Sequence, residues 1–439
     1  MTDTTDPRAR PVPTGRANRA ARMGGLTAGL LGSAAAEGAR QLLRGQRPSP
    51  RDMFLTPSNA HRLTQQLSQM RGAAMKMGQL LSLEAGDLLT PELAAVLRPL
   101  QAQAHFMPPA QLKKVLSAAW GPDFTKRFKK FDVRPIAAAS IGQVHRAQTR
   151  DGRDVAVKVQ YPGIRDSIDS DIRNLTSLMR MSGLVPRGLE MGPLLEEARI
   201  QLHEEADYAK EAGHMQRFAT LLADDPNCIV PEFYEDLSTQ DILTMSFVPS
   251  DPIDTLQGQD QSVRNDMATR LIALMMREVF EFGLVQSDPN FANFRWQPES
   301  TRLVLLDFGA TRELSEDLIR KSRDMLQPAL ENDLNGLTNA LTALGLLSDK
   351  MPDTIQSEIL SMVAMANKPM LSEAGFDFGD TSLVADLRDR GMELGRDRSI
   401  QHIPPTDVLY LQRKAAGLFL LATRLKARVN LRELFQRYA

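Results

Sequence analysis

Between Asn293 and Asp307 the sequence reads as one β-hairpin: Ala292 to Trp296, a polar turn at Gln297-Pro298-Glu299-Ser300, then Leu303 to Leu306. No other feature constrains the fold as strongly, because a hairpin returns the chain to the edge from which it left. Asp307 is therefore predicted near Asn293, although fourteen positions separate them. The flanking segments are Asp288-Pro-Asn-Phe-Ala-Asn293 and Asp307-Phe308-Gly309. One amide oxygen and one carboxylate suit hard Mg²⁺, which keeps waters and shares nucleotide phosphates. Asp288, five residues before Asn293, stands where the base or nucleophile-orienting carboxylate of phosphoryl transfer belongs. Either segment alone is a weak signal, and two polar turns flanking a strand pair would look similar. Their order around a hairpin is what points to phosphate chemistry.

A second strand signal lies upstream. Pro135, a run of alanines, Asp151-Gly152 and the alternating Asp154-Val155-Ala156-Val157-Lys158-Val159 predict a hairpin turned at Asp-Gly. Lys158 then faces away from Val157 and Val159, into a cleft if the valines face the core, where it can hold α- and β-phosphates. An isolated strand lysine is more often a solvated one; here the aspartate motifs follow it in the order that phosphoryl transfer uses. Such a lysine needs a carboxylate to fix it. On the helical pattern from His203 to Glu211, Glu204, Asp207 and Glu211 are spaced i, i+3, i+7 and share a face, while Glu205 points elsewhere. A solvated face pairing with Lys210 and Arg217 is the rival reading. His203-Glu204 begins like a zinc-protease H-E-x-x-H, but position 207 is Asp, which excludes it.

The phosphate cradle is unusual. No G-x-x-x-x-G-K-[ST] and no G-x-G-x-x-G occurs, so the usual nucleotide loops have no support. Ahead of the lysine stands Ile136-Ala137-Ala138-Ala139-Ser140-Ile141-Gly142-Gln143-Val144. Methyl groups restrict torsions that glycine allows, so this loop is expected to be stiff over phosphates, with Ser140 touching them.

Composition excludes several classes. Lys and Arg number 53 against 54 Asp and Glu, a net charge of -1, with no basic surplus for nucleic acid. The single cysteine, Cys228, rules out a disulfide framework or a multi-cysteine metal cage and fits a reducing compartment. No run reaches the ~20 apolar residues of a membrane span. Met23 to Ala36 is uncharged but short, and no secretory signal is expected. Arg8, Arg10, Arg16, Arg19 and Arg22 precede it, so the segment reads equally as a disordered tail or as an amphipathic stretch on anionic lipid.

From Asp52 to about Lys130 the pattern is helical, with Leu63, Leu67, Met70, Ala74 and Met77 at three- and four-residue steps, a start at Thr90-Pro91-Glu92 and another from about Ala110. Helical patterns return between Ser167 and Leu222, strand signals follow at Ile229 to Phe233 and Ile242 to Val248, and the rest is helical apart from the hairpin already described. Few strands early and many helices late predict a two-lobed α+β architecture. The expected division is a disordered or membrane-surface tail (1–50), a helical N-terminal extension (51–130), a small β-containing N-lobe with inserted helices (131–249) and a helical C-lobe (250–439). Within the extension, Lys76-Met77-Gly78-Gln79 sets Lys76 and Gln79 on one face; from the residues alone this is an ordinary helix surface.

Taken together, these motifs resemble the UbiB/ADCK family of atypical kinases (the AarF type) over about Asp52 to Ala439. Its K-x-G-Q motif, alanine-rich loop, V-A-V-K lysine, E-x-D motif and kinase-like catalytic and metal loops occur here in order: Lys76 to Gln79, Ala137 to Ser140, Lys158, Glu205 to Asp207, Asp288 to Asn293, and Asp307 to Gly309. Gln286-Ser287-Asp288-Pro289-Asn290-Phe291-Ala292-Asn293 is similar to the coenzyme-Q branch rather than to relatives reading H-x-D-P-H-P-G-N, and the Phe106-Met107-Pro108 and Gly417-Leu418-Phe419-Leu420 contexts agree. The resemblance implies a protein-kinase-like fold whose extension, carrying Lys76 and Gln79, covers the site a protein substrate would use. Glu205 would pair with Lys76, and Glu211 would position Lys158. ATP with Mg²⁺ is the implied cofactor, metal being held by Asn293 and Asp307.

The expected activity is a Mg²⁺-dependent ATPase or a small-molecule or lipid kinase-like phosphotransferase supporting ubiquinone biosynthesis. Two rival readings stay open: a protein kinase acting in trans, and a non-catalytic, nucleotide-gated scaffold for a quinone-biosynthesis complex. Expected partners are ATP, a quinone-precursor or lipid ligand and quinone-biosynthesis proteins, with no nucleic acid. Relatives in the UbiB branch commonly carry C-terminal membrane helices; here there is only Ala415 to Ala422, flanked by Arg413, Lys414, Arg424 and Lys426, so membrane contact is expected to be peripheral. The expected location is cytoplasmic or on the inner membrane, or the mitochondrial matrix if the source is eukaryotic.

Overall fold

The computed structural model describes residues 106–182, 191–288, 290–396 and 404–439, together with a few isolated earlier positions that include Gly72 and Lys76. Gln79, most of the tail and most of the helical pattern expected over 52–105 lie outside the described residues. In chain order the elements are α1 (Pro109–Trp120), β1 (Phe128–Phe131), β2 (Ala137–Ala138), β3 (Gly142–Thr149), β4 (Asp154–Gln160), α2 (Ile168–Ser182), α3 (Met191–Glu205) and α4 (Tyr208–Leu221). Next come β5 (Cys228–Ile229), β6 (Ile242–Ser246), β7 (Asp251–Pro252), α5 (Gln261–Arg277), β8 (Leu284–Gln286), β9 (Phe294–Trp296), β10 (Leu303–Leu305) and β11 (Thr311–Glu313). The remainder is mostly helical: α6 (Glu316–Asp324), α7 (Leu326–Glu331), α8 (Leu334–Ala343), α9 (Asp353–Leu371), α10 (Ser382–Arg396), α11 (Thr406–Leu425) and α12 (Leu431–Gln436), with β12 (Phe376–Asp377) and β13 (Arg428–Val429) as a short pair. This is the α+β class the sequence predicts.

The chain divides into two compact units, 1–212 with 233–247 and 213–232 with 248–439. In the first, an antiparallel sheet runs β1-β3-β4-β6, with β2 added on β3. The β3–β4 turn falls at Asp151-Gly152, Gly152 taking φ 98° as Asp-Gly turns require. Val155, Val157 and Val159 are fully buried, which fixes the face of β4 and the register Lys158↔Leu243 with β6. At Gly142 a Cβ would stand 2.6 Å from the Val159 carbonyl oxygen, so the strands meet there only with glycine.

Two expectations need correction. The helical stretch does not continue to Lys130: α1 opens with Pro109 in its first turn and stops at Gly121, φ 88°, after which Phe128–Phe131 pairs with β3. Nor is His203 to Glu211 one helix. α3 ends at Glu205, and Asp207 caps α4 by accepting the Lys210 N–H at 3.0 Å. The break exposes the Ala206 carbonyl, which accepts from Gln160 Nε2 (2.9 Å) and Arg165 Nη2 (2.6 Å). Glu204, Asp207 and Glu211 therefore share no helix face.

In the second unit β9 and β10 form the predicted hairpin, flanked by β5 and β7, and β8 pairs with β11. α5 runs directly into a π-helical turn, Glu278–Phe282, closed by Gly283 at φ 59°. π-turns of this kind are uncommon and cluster near functional sites.

A relay through two fully buried side chains, Gln143 and His145, ties the segment entering α1 to the first sheet. The Met107 N–H donates to Gln143 Oε1 (2.6 Å), and the Gln143 amide donates to His145 Nε2 (2.8 Å). His145 Nδ1 then donates to the Asp132 carbonyl (2.8 Å). The carbonyl can only accept, so the ring is neutral with its proton on Nδ1. Burial lowers the His145 pKa to about 4. The unfolded ring takes a proton near its ordinary value of about 6.5, so acidification favours the unfolded chain. The contribution is complete above about pH 6.5 and is lost progressively toward pH 4, on the order of 3 kcal/mol at most. Urea unfolding at pH 7 and pH 4.5 is expected to show this loss, with a shallower pH slope in His145→Gln; an unchanged slope in that variant would contradict the relay.

Candidate active site

In the first unit the valines of β4 turn inward and Lys158 projects to the other side. Its Nζ lies 2.8 and 2.9 Å from the two carboxylate oxygens of Glu211 and 5.2 Å from the centre of the Tyr208 ring. Both members of the pair are buried, Lys158 at 7% and Glu211 at 1% exposure. Glu211 stands in the first turn of α4, where the helix N-terminus favours a carboxylate. Removing one partner of such a pair strands a buried charge, at a cost of about 3–5 kcal/mol. Of the carboxylates the sequence left open, Glu204 instead lies 3.7 Å from Lys210, and Asp207 is an exposed helix cap.

Glu205 serves a different pair. Its Oε1 is 2.6 Å from Lys76 Nζ, and its second oxygen accepts the Ser140 hydroxyl. Ser140, expected on phosphates, donates its hydroxyl proton to this carboxylate. Gly72, one turn before Lys76, lies close to the same loop: a Cβ there would be 3.1 Å from Ile141 Cγ2 and 3.4 Å from Leu202 Cδ2. Ala137 and Ala138 form β2 and are exposed, and Ala139 N–H closes the turn on Gly142 O at 2.9 Å. The alanine-rich loop is thus a tight hairpin end held at Ser140 by Glu205.

In the second unit the register Leu305↔Phe294 continues by one step, Leu306 N–H donating to the Asn293 carbonyl at 2.8 Å. Asp307 therefore follows directly on the partner of Asn293. Asn293 itself is in a 3₁₀ turn, Phe291–Asn293, rather than in the strand expected from Ala292. Asn290 caps that turn through Ala292 N–H (3.1 Å), and Asp288 Oδ1 accepts Asn290 N–H (3.2 Å). Asp307 adopts φ 59° and accepts Gly309 N–H at 3.2 Å. Asn293 is 5% exposed, and the nitrogen end of its amide has no hydrogen-bond partner. A buried amide with one end unmet, one residue along the ladder from an aspartate, is a donor set whose chemistry fits a hard cation once the amide turns its oxygen outward.

The two loops are joined by Gln286, which the sequence marks only as part of the branch-like catalytic-loop stretch. Gln286, at the end of β8, donates from Nε2 to the carbonyls of Leu306 (2.7 Å) and Asp307 (2.5 Å). Its position two residues before Asp288 was the available signal. Ser287 adds two donors to the Ala310 carbonyl, from its N–H (3.0 Å) and its hydroxyl (2.7 Å). Phe308 is buried against Phe218 (centroids 5.1 Å), and its carbonyl accepts from His214 Nδ1 at 3.2 Å. Tyr208 and His214 carried no sequence signal for these contacts.

Comparison with known proteins follows the same lines. The ABC1 atypical kinase-like domain model matches residues 99–341. The chain is 37% identical over 427 residues to the atypical kinase COQ8, mitochondrial, of Saccharomyces cerevisiae, covering 97% of this chain and 85% of that protein. It is 37% identical over 434 residues to the atypical kinase COQ8B, mitochondrial, of Rattus norvegicus, covering 98% and 81% respectively. The solved complex of Rv3197 with erythromycin from Mycobacterium tuberculosis aligns over 87% of this chain and 95% of its own, with a TM-score of 0.60 at 24% identity, a likeness of fold.

The left-handed backbone at Asp307 gives a direct test of this loop's conformation. Asparagine tolerates that conformation nearly as well as aspartate, whereas a β-branched residue does not. Thermal melts are expected to leave Asp307→Asn near wild type and to place Asp307→Val about 1–2 kcal/mol lower. Equal tolerance of the two would contradict the assigned backbone.

Proposed function

The chain belongs to the ABC1 atypical kinase-like family, and from that premise we propose that it binds ATP with Mg²⁺ and acts as an ATPase or as a small-molecule or lipid kinase-like phosphotransferase supporting ubiquinone biosynthesis. The observation that supports the reading is the backbone hydrogen bond from Leu306 to Asn293, which sets Asp307 one residue beyond the ladder partner of Asn293. Asn293 and Asp307 would hold the metal. Mg²⁺ there would neutralise phosphate charge and orient the terminal phosphoryl group.

The chain's own residues divide the remaining work. Lys158, aimed by Glu211, is suited to the α- and β-phosphates. Asp288 would orient the nucleophile, water for hydrolysis or a hydroxyl of the acceptor for transfer. Phosphoryl transfer needs mainly positioning and charge neutralisation, and these residue types supply both. Lys76 with Glu205 would hold the N-terminal extension against the alanine-rich loop, a feature that disfavours a protein acceptor. Among the described residues no helix is long and apolar enough to cross a membrane, so lipid contact is proposed to be peripheral. The COQ8 and COQ8B relatives carry the word mitochondrial in their names; a eukaryotic source would place this chain in the matrix, and a bacterial one at the cytoplasmic side of the inner membrane.

ATP turnover measured with and without anionic liposomes and quinone precursors tests the proposal. Wild type is expected to require Mg²⁺ and to be stimulated by liposomes, with turnover at least about 100-fold lower in Asp307→Asn. No nucleotide affinity in the presence of Mg²⁺, or wild-type turnover in that variant, would remove the proposal.

A further inference from the structure

Lys414 reads in the sequence as one of the basic residues flanking an apolar stretch. The structure places it differently. On α11, Arg424 and Lys426 are exposed or end the helix, whereas Lys414 is 1% exposed. Its Nζ lies 3.0 Å from Glu278 Oε2, 2.9 Å from the Gln286 carbonyl oxygen and 5.3 Å from the centre of the Phe294 ring. Glu278, in the π-turn after α5, is fully buried.

Gln286 is therefore held at two points: its carbonyl accepts from Lys414, and its side chain grips the carbonyls of Leu306 and Asp307. Asp288 follows two positions later. A shift of the Gln286 peptide would move Asp288 relative to Asp307, and bringing Lys414 out of water is justified energetically only while its partners are in place. We propose that Lys414 is a positioning residue for the phosphoryl-transfer site, acting through the Gln286 carbonyl to set the loop of Asp288 against the loop of Asp307. Its link to chemistry rests on the functional reading above; its link to loop geometry does not.

The rival is that Lys414 merely neutralises Glu278, and variants separate the two. Lys414→Met alone leaves a buried carboxylate unmatched. The double variant E278Q/K414M removes both charges together and deletes the donor to the Gln286 carbonyl. Replacing a buried ion pair by neutral groups of similar volume commonly preserves stability. The double variant is thus expected to melt near wild type, while the backbone amides of Ser287 and Leu306 exchange with deuterium at least about tenfold faster. The Mg²⁺ concentration for half-maximal ATP turnover is expected to rise by about tenfold or more. E278Q/K414Q, which restores an uncharged donor, is expected to recover part of both and provides the test if the methionine variant does not fold. Wild-type exchange at Ser287 and Leu306 in E278Q/K414M would overturn the proposal. Absence of ATP turnover in wild type would sink the functional reading instead and leave the exchange measurement to decide the role of Lys414.

Discussion

Three lysines are buried among the described residues, and each is matched by a glutamate: Lys76 by Glu205, Lys158 by Glu211 and Lys414 by Glu278. Taking an ammonium out of water costs several kcal/mol even after relaxation, and the attraction of one carboxylate roughly offsets that. Such pairs add little net stability. What they provide is position, because a displaced lysine loses its attraction while the desolvation remains. Each pair sits at an element the proposed function uses: the alanine-rich loop, the strand of Lys158, and the segment leading to Asp288.

Backbone register supplies what charge pairing does not. β9 and β10 are short, but their ladder extends to Leu306 and Asn293, and the next residue is the aspartate. Asp307 leaves the ladder through a left-handed turn that few residues adopt. Gln286 then bonds the carbonyls on either side of that exit, so the turn is held from below by β8 as well as by the hairpin. Local strain of this kind persists where surroundings over-determine it, and here three backbone contacts do so.

The sequence made the strands legible wherever the pattern was local. Alternation with an Asp-Gly turn located β3 and β4 and the outward side of Lys158, and two apolar runs around a polar turn located the hairpin before Asp307. What it hid was set by tertiary contact. Glu-Glu-Ala-Asp-Tyr-Ala-Lys-Glu is continuous helix by propensity, yet Gln160 and Arg165 capture the Ala206 carbonyl and Asp207 caps the next turn. The buried pairs span 129, 53 and 136 positions, distances at which no spacing rule operates. The family resemblance identified the first two partners; nothing marked Glu278 as the partner of Lys414, which looked like any basic residue beside an apolar helix stretch.

The central proposal is that the chain binds ATP with Mg²⁺, with Asn293 and Asp307 proposed for the metal and Lys158 for phosphate. Titration calorimetry with ATP, in the presence and absence of Mg²⁺, tests it most directly on wild type, Lys158→Met and Asp307→Asn. The account predicts saturable binding that needs Mg²⁺ in wild type, weakened at least about tenfold by either substitution, with the Mg²⁺ requirement kept in Lys158→Met and lost in Asp307→Asn. Binding indifferent to Mg²⁺ and to both substitutions would contradict it.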